Sequence, residues 1–395
     1  MSDILSICVS PTSVKAKNVK ITAIKTFMAR FGNRPRGLIK VETDEGLYGW
    51  GEAYSTGPDL SVEPIADYIF EMIQGDDPRR IEYIMMKLHQ QFRFPPGGAG
   101  LAVISAVDHA LWDISGKAAG LPVYMLLGGH ARDRVRVYRG IGGRDGIEAA
   151  DQAHKLHEEW GFTAFKTSPY QLDPDASRWG RVCDAAATYF EQLRQNTPDD
   201  WEFAFDPHAK IFEPIRALQL ANALAPYDPY FYEEPLRPEH IPAWTRLRSQ
   251  MQVPLATGES LYTRFEFLDI IAGQGADIIQ PDVCVCGGLL EMRKIAAIAE
   301  AHYVSVAPHN PMGPLATAVN VHFAAATPNF KILEYLLPTG AEWIDEPYLP
   351  KDGYLELRDR PGLGVEINEE AITDNEYIHW QRTCPIRPDG STGYI

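Results

Sequence analysis

Ionisable side chains end seven short apolar runs of this sequence, one after another along the chain. They are Lys166, Asp206 with His208, Glu233, Glu259, Asp282, His309 and Glu334. Exposed charges normally sit among other polar residues, so a solvated face would not be expected at the end of each apolar run. Carboxylates, imidazoles and an amine are also the groups that bind cations and transfer protons. We therefore interpret the set as a functional site.

Three of the carboxylates come from three consecutive runs: Asp206, Glu233 and Glu259. They would converge if the runs are neighbouring strands, because adjacent strands lie ~4.8 Å apart. Converging negative charges need a cation, and a ligand set of oxygens alone suits a hard ion such as magnesium. Glu234 follows Glu233 directly, and strand alternation points it the other way. The sequence therefore predicts a magnesium site of three carboxylates, with Glu234 as a supporting residue.

Asp282 and His309 end the next two runs. A carboxylate bonded to one imidazole nitrogen raises the basicity of the other nitrogen, as a general base requires. His208 lies two residues after Asp206, so both side chains are expected on the same side of the strand. We predict that His309 with Asp282 is the base and that His208 supplies an acid across the site.

The runs that carry these residues read as strands of a parallel barrel. Eight runs begin about 23 to 40 residues apart, close to the ~30 residues of a strand–helix–strand unit. They cover 135–140, 162–168, 202–208, 230–235, 254–259, 277–282, 304–309 and 331–335. Helical periodicity fills the connections, as at 288–303, and GIGG at 140–143 lacks the spacing of a dinucleotide-binding loop. The pattern predicts a closed barrel with the ionisable residues on its C-terminal rim.

The chain on either side of these runs has a different pattern. Residues 38–43 and 47–53 flank a turn and predict a hairpin, and residues 102–120 predict a helix. After about residue 340 the sequence is rich in turns. We expect three units: an α+β cap at 1–130, the barrel at 131–340, and a segment at 341–395 that packs on the cap.

Composition excludes two classes of partner. The 395 residues carry a net charge of −16, and such a surface repels phosphate backbones and anionic lipid. No apolar stretch approaches the ~18 residues of a membrane span, so we expect neither nucleic acid nor a membrane as partner. The start of the chain lacks the basic residues of a signal peptide, and five cysteines are few for a disulfide scaffold. We therefore predict a cytoplasmic protein, and we interpret Cys284 and Cys286 as core-strand residues rather than zinc ligands.

Motifs that span nearly the whole chain occur in a fixed order. They are SAVDHALWDISGKAAGLPVYMLLGG (105–129), DPH (206–208), YEEP (232–235), GES (258–260), QPD (280–282), APHNPMGP (307–314) and PGLGVE (361–366). In this order they resemble the enolase superfamily, in its mandelate racemase subgroup, and especially its acid-sugar dehydratases of the galactonate dehydratase type. The resemblance implies a TIM-like (β/α)7β barrel beneath a cap formed by both ends of the chain. It also implies one Mg²⁺ per subunit on the three carboxylates and a His309–Asp282 base that removes the proton α to a carboxylate.

The end of the second barrel strand separates two reactions of this subgroup. The racemases have Lys-x-Lys there and use the second lysine as a base, whereas this chain has Lys166-Thr167-Ser168. A serine hydroxyl is not a base near neutral pH without an activating partner. Galactonate-type dehydratases similarly lack the second lysine and have a histidine at the position of His208, which acts on the leaving hydroxyl. The resemblance therefore implies β-elimination to a 2-keto-3-deoxy sugar acid, with a protonated Glu334 sharing its proton with the enediolate.

Four residues are our candidates for contact with the substrate, which we expect to be an aldonate such as galactonate or gluconate. They are Lys166, Arg36, Tyr54 and Ser168. Segments 30–36 and 92–100 are rich in Gly and Pro, a composition that suits cap loops closing over the site.

Two other functions remain open from the residues alone. One is a racemase, epimerase or sugar-lactone cycloisomerase that uses His309 alone or with Lys166. The other is a non-catalytic protein that binds sugar acids on the same scaffold. In each case we expect a homo-oligomer with a small-molecule ligand.

Overall fold

The computed structural model describes residues 19–373, 377–380 and 383–393, and residues 21–53 of it form a sheet of three antiparallel strands. The strands are β1 (Ile21–Phe31), β2 (Arg34–Thr43) and β3 (Tyr48–Ala53). The predicted hairpin is confirmed as β2 and β3, but the pattern does not predict β1. Segment 30–36 is not the loop that we expected. It forms the paired ends of β1 and β2 around a tight turn in which Gly32 has a φ of +60°.

Helices follow this sheet along the chain. They are α1 (Val62–Ile73), α2 (Ile81–Gln91), α3 (Gly97–Ala119) and the short α4 (Val123–Leu126), with a 3-10 turn at Asp59–Ser61. Of these, α1 and α3 pack directly on the sheet. The helix predicted at 102–120 is confirmed as most of α3. A Cβ on Gly51 would lie 1.8 Å from the carbonyl oxygen of Ala106, and one on Gly49 would lie 2.1 Å from that of Ala110. These glycines therefore let β3 and α3 approach at backbone distance.

Eight parallel strands and seven helices follow in strict alternation. The strands are β4 (Arg134–Gly140), β5 (Ala164–Thr167), β6 (Glu202–Phe205), β7 (Tyr232–Glu233), β8 (Leu255–Thr257), β9 (Ile278–Ile279), β10 (Ser305–Val306) and β11 (Leu333–Glu334). The helices are α5 (Gly146–Trp160), α6 (Trp179–Gln195), α7 (Pro214–Leu224), α8 (Ile241–Arg248), α9 (Thr263–Ala272), α10 (Gly288–Ala301) and α11 (Pro314–Ala325). All eight predicted strands are confirmed.

Pairing closes the strands into a ring. Neighbours pair in the order β10-β9-β8-β7-β6-β5-β4-β11, and a parallel bridge between Val306 and Phe330 joins β10 to the start of β11. Small residues such as Ala164, Ala204 and Ala256 fill the interior beside Tyr138 and Phe231. The ring is therefore a packed (β/α)7β barrel, as predicted, and its C-terminal rim lies above this filled interior.

The C-terminal part of the chain returns to the N-terminal sheet. It contains β12 (Ile344–Asp345), β13 (Tyr354–Glu356), β14 (Glu366–Ile367) and α12 (Glu369–Thr373). Glu369 pairs with Lys40 of β2 at 2.5 Å, and Leu363 N–H donates to Asp113 of α3 at 2.9 Å. One strand of this part, β13, pairs with β4 of the barrel instead. The division of the chain at about residues 130 and 340 stays a prediction.

Two smaller expectations concern cysteines and membranes. Cys284 and Cys286 are buried free thiols, but they lie in the turn after β9 rather than in a strand. Among the residues that the structure describes, none of the helices has the length and apolar character needed to cross a bilayer.

Candidate active site

Asp206, Glu233 and Glu259 meet at the C-terminal rim of the barrel. They follow or end β6, β7 and β8, which are neighbours in the ring. One carboxylate oxygen from each lies within 4.8 Å of the others, and two of the three side chains are buried. Oδ2 of Asp206 is buried and makes no hydrogen bond. An all-oxygen cluster with a buried acceptor left over fits a hard metal cation.

Lys166 of β5 partly neutralises this cluster. Its Nζ lies 2.6 Å from Glu233, 3.0 Å from Glu334 and 3.1 Å from Oδ2 of Asp206, and of these only the contact with Glu233 has the geometry of a hydrogen bond. Burial by itself lowers the pKa of the Lys166 amine, but the carboxylates outweigh it and hold the pKa well above its usual range. Lys166 therefore remains a fixed positive charge among the ligand carboxylates.

Two further polar residues support the cluster. Gln280, just after β9, donates from Nε2 to Glu233 at 2.7 Å. Glu234 is not part of the carboxylate cluster. It accepts hydrogen bonds from the Thr257 hydroxyl at 2.7 Å and from the Gly258 N–H at 2.9 Å. Burial, together with the neighbouring Glu259, raises the pKa of Glu234 to about 8. The QPD motif contains Gln280, but nothing in its spacing indicates that it binds Glu233.

His309 and Asp282 form a dyad on the next two strands. Nδ1 of His309 lies 2.9 Å from Oδ2 of Asp282, while Nε2 lies 3.4 Å from Glu259. Burial lowers the pKa of His309, but Glu259, Asp282 and Glu334 together outweigh it and raise the pKa to about 10. Because Asp282 occupies one ring nitrogen, the other is directed to the carboxylate cluster and is the nitrogen that can accept a proton.

Glu334 lies at the end of β11, between the lysine and the histidine. It accepts a hydrogen bond from the N–H of Asn310 at 2.9 Å, besides its contact with Lys166. Burial would raise the pKa of Glu334, but Lys166 and His309 outweigh it and lower the pKa to about 2. These two neighbours favour the ionised form of the carboxylate, whereas the resemblance implies a protonated Glu334.

His208 lies on the opposite side of the ring from His309, since β6 and β10 are four strands apart in the ring of eight. Its backbone has a φ of +54°, and its N–H donates to Oδ1 of Asp206 at 2.7 Å. Its side chain is 51% exposed, and Nε2 lies 3.3 Å from Oδ2 of Asp206. A non-glycine residue in this region is strained and needs local support, which the Asp206 carboxylate supplies.

The candidates for substrate contact divide into two groups. Tyr54 lines a cavity of about 690 Å³ together with Glu259, His309, Arg237 and Tyr262. Arg36 does not line this cavity. It is 1% exposed, and its donors go to Pro35, Thr56 and Pro311.

Ser168 does not line this cavity either. It is exposed, and its Oγ accepts the N–H of Tyr170 at 3.2 Å, so it caps the turn after β5. Arg237 and Tyr262 are cavity residues that sequence reasoning missed. They lie in the connections after β7 and β8, where no motif distinguishes them from other loop residues.

Two family models match the chain. Residues 11–128 match the mandelate racemase / muconate lactonizing enzyme N-terminal domain, and residues 148–371 match the enolase C-terminal domain-like family. The chain belongs to the mandelate racemase / muconate lactonizing enzyme family of the enolase superfamily, as its motifs predict.

Curated relatives and solved structures extend this result. A D-galactonate dehydratase of Pectobacterium atrosepticum is 36% identical, over 94% of this chain and 99% of that protein. A D-galactonate dehydratase of Xanthomonas campestris is 37% identical, again over 94% and 99%. The crystal structure of a candidate galactarate dehydratase from Agrobacterium radiobacter, with sodium and L-malate bound, is 56% identical with a TM-score of 0.93, covering 95% of this chain and 100% of that one.

Proposed function

We propose that this protein is an acid-sugar dehydratase, a carbon–oxygen lyase that removes water from an aldonate or aldarate to give a 2-keto-3-deoxy acid. The observation that carries the proposal is the placement of two histidines on opposite strands of the ring, with a cluster of three carboxylates between them. One face of the substrate then meets a base and the other an acid, which is the arrangement that anti elimination across adjacent carbons requires.

His309, held by Asp282, takes the proton from the carbon next to the substrate carboxylate. It acts in its neutral form, which is favoured once the charge of the neighbouring Glu259 is neutralised. His208 gives a proton to the hydroxyl on the next carbon, which leaves as water. The enol that remains tautomerises to the 2-keto-3-deoxy acid. Each proton transfer is expected to contribute roughly 10²–10⁴ in rate.

The donor set favours Mg²⁺ over softer ions, because Asp206, Glu233 and Glu259 offer oxygen ligands alone. A divalent ion there would supply positive charge beside the substrate carboxylate as the enediolate forms. Lys166 adds a second positive charge from the protein itself. Glu334 can share a proton with the enediolate only if it gains one on substrate binding, since two negative groups would repel.

The racemase alternative loses support from the residue at the end of β5. A two-base racemase needs a second base facing His309, and Ser168 instead caps an exposed turn. The Lys166 Nζ lies within 3.1 Å of three carboxylates and is held charged, so it is a poor base.

Aldarates deserve equal weight with aldonates as substrates. The 56% identical protein from Agrobacterium radiobacter is a candidate galactarate dehydratase and was solved with L-malate, which is a dicarboxylate. In the present chain Arg237 lines the same cavity as His309 and Glu259, and it is a cation that could meet a second carboxylate.

A panel of aldonates and aldarates tests the proposal directly. We expect at least one member, with galactonate and galactarate as the first to try, to yield a keto acid that semicarbazide traps. An epimer or α-deuterium exchange without keto acid would instead indicate a racemase, and binding without either product would indicate a non-catalytic protein.

A further inference from the structure

Two buried side chains of the N-terminal sheet hold the segment that follows His309. Glu52 of β3 accepts hydrogen bonds from the N–H groups of Gly313 at 2.6 Å and Ala316 at 3.0 Å. Arg36 of β2 donates from Nη2 to the carbonyl of Pro311 at 2.9 Å, and its Nε lies 3.3 Å from Glu52. We propose that Glu52 and Arg36 are positioning residues for His309, an inference that rests on the proposed role of His309 as the base.

The contact is built to be rigid. The side chains of Glu52 and Arg36 are 0% and 1% exposed, respectively. The free N–H groups at the start of α11 favour an anion such as the Glu52 carboxylate. A Cβ on Gly313 would lie 2.6 Å from the Glu52 carboxylate. The segment therefore approaches Glu52 closely enough that glycine is the residue that fits.

The segment between His309 and α11 is held from two sides. The barrel holds Asn310, whose N–H donates to Glu334. The N-terminal sheet holds Pro311 and Gly313, which are only two and four residues beyond the base. A shift of the sheet would thus move the imidazole of His309 relative to the substrate. A misplacement of about 1 Å between a catalytic group and its substrate can cost roughly 10²-fold in rate.

A purely structural role for Glu52 is the alternative, and the chain contains a matched control. Asp108 of α3 is also fully buried and accepts the N–H of Leu290 at 3.1 Å at the start of another barrel helix, α10. That helix, α10, does not follow His309. Asp282, the strand end before α10, is held by its own turn through the N–H of Cys284 at 2.7 Å.

The experiment compares Glu52→Gln with Asp108→Asn. We expect Glu52→Gln to lower kcat for dehydration and the rate of α-deuterium exchange by about 10- to 100-fold, with KM and Mg²⁺ affinity near wild type. We expect Asp108→Asn to keep the wild-type kcat, even if its unfolding temperature falls as far as that of Glu52→Gln. In metal-free protein labelled with ¹⁵N-histidine, the ring-nitrogen shifts of His309 should change in Glu52→Gln alone. Equal kcat for the two variants would overturn the proposal.

A second variant covers the chance that Glu52→Gln does not fold. Gly313→Ala keeps both buried charges but pushes the segment away from Glu52, and we expect the same selective loss of kcat. A folded Gly313→Ala protein with unchanged kcat and unchanged His309 shifts would overturn the proposal. If the wild-type protein dehydrates no acid sugar, the proposed function fails, whereas the His309 shifts still decide the positioning role.

Discussion

Lys166 and the cluster of three carboxylates show how charge is balanced at the rim. Its ammonium group contacts Asp206 and Glu233, yet Glu259 remains outside its reach among the contacts that the structure describes. One lysine cannot offset three ligand carboxylates and Glu334, so the cluster retains net negative charge. That imbalance is the physical reason to expect a bound divalent cation.

Removal of the metal should therefore abolish activity. We expect dialysis against a chelator to eliminate keto-acid formation and added Mg²⁺ to restore it. Glu259→Gln should weaken Mg²⁺ binding by more than the ~10- to 100-fold that loss of a supporting partner costs. Its unfolding temperature should change little, since rim residues serve function more than stability. Titration calorimetry measures the affinity.

Glu266→Gln is the control for that variant. Glu266 lines the same cavity and accepts the N–H of Tyr262 at 2.6 Å, but it is not part of the carboxylate cluster. Full activity after verified metal removal, or equal Mg²⁺ affinities for the two variants, would contradict the assignment.

The roles of His309 and His208 should be separable by mutation, because the two side chains approach the substrate from opposite strands of the ring. With His309→Asn, we expect both α-deuterium exchange and dehydration to vanish. With His208→Asn, exchange should survive while dehydration falls by about 10²-fold or more, since the base remains but the leaving hydroxyl has no acid. Proton NMR in D₂O and the semicarbazide assay report the two steps.

His154→Asn provides the reference for those variants, because His154 lies on α5 and bonds the carbonyl of Asn196 at 2.9 Å, away from the rim. Dehydration by His208→Asn at the rate of His154→Asn would show that one histidine performs both proton transfers.

At the scale of single residues, the sequence predicts which side chains meet at the rim. It does not predict the surroundings of the Arg36 side chain. Strand ends are readable because each closes an apolar run, and the barrel brings such ends together whatever the loops do. The partners of Arg36 are Glu52, 16 residues away, and Pro311, which is 275 residues away in the sequence. No local pattern reveals that contact, so its guanidinium was predicted to face the substrate when it faces the interior.

At the scale of elements, strand pairing shows where prediction from pattern succeeds. The barrel strands are apolar because helices and interior residues cover both faces, so each is visible as a short run. In contrast, β1 has buried residues mainly at Ile21, Ala29 and Phe31, and its partly covered middle lacks clean alternation. An edge strand covered irregularly by the rest of the chain therefore gives no pattern to read.

The approach of β3 to α3 is an element-scale feature with a measurable cost. Gly51→Ala would place a methyl group against the backbone of Ala106, so β3 must shift or α3 must move. Overpacking of this kind costs about 1–3 kcal/mol, and we expect a lower unfolding temperature. Because Glu52 is the next residue in β3, we also expect kcat to fall.

Gly180→Ala in α6 is the matched control, because nothing lies within 4 Å of the Cβ that it would add. Alanine favours a helix over glycine, so its stability should be equal or slightly higher. Thermal denaturation of the two variants decides the matter, and equal unfolding temperatures would contradict close packing of β3 on α3.

At the scale of the whole molecule, the last part of the chain joins the N-terminal unit to the barrel. Residues 377–380 contact Asp59, in the connection after β3. Further on, Arg387 pairs with Asp175, in the connection after β5, at 3.0 Å. The first connection begins with Tyr54, and the second begins with Ser168. No motif predicts these contacts, since they depend on where distant loops come to lie.

Asp59 is the anchor of this arrangement, and its removal should release the end of the chain. Its buried Oδ2 accepts hydrogen bonds from the Tyr377 hydroxyl and, at 3.4 Å, from the Trp380 N–H, and it lies 2.8 Å from Nδ1 of His379. Hydrogen bonds to a charged group contribute about 1.5–3 kcal/mol, so Asp59→Asn should make local opening at least about tenfold more frequent.

Chymotrypsin cleavage after Tyr377 and Trp380 measures that opening when cleavage is slow compared with reclosing. Asp389→Asn removes the same charge from a turn in which the Asp389 carboxylate accepts hydrogen bonds from Ser391, and it should leave the cleavage rate near wild type. If Asp59→Asn and Asp389→Asn are cleaved equally fast, Asp59 does not anchor this segment.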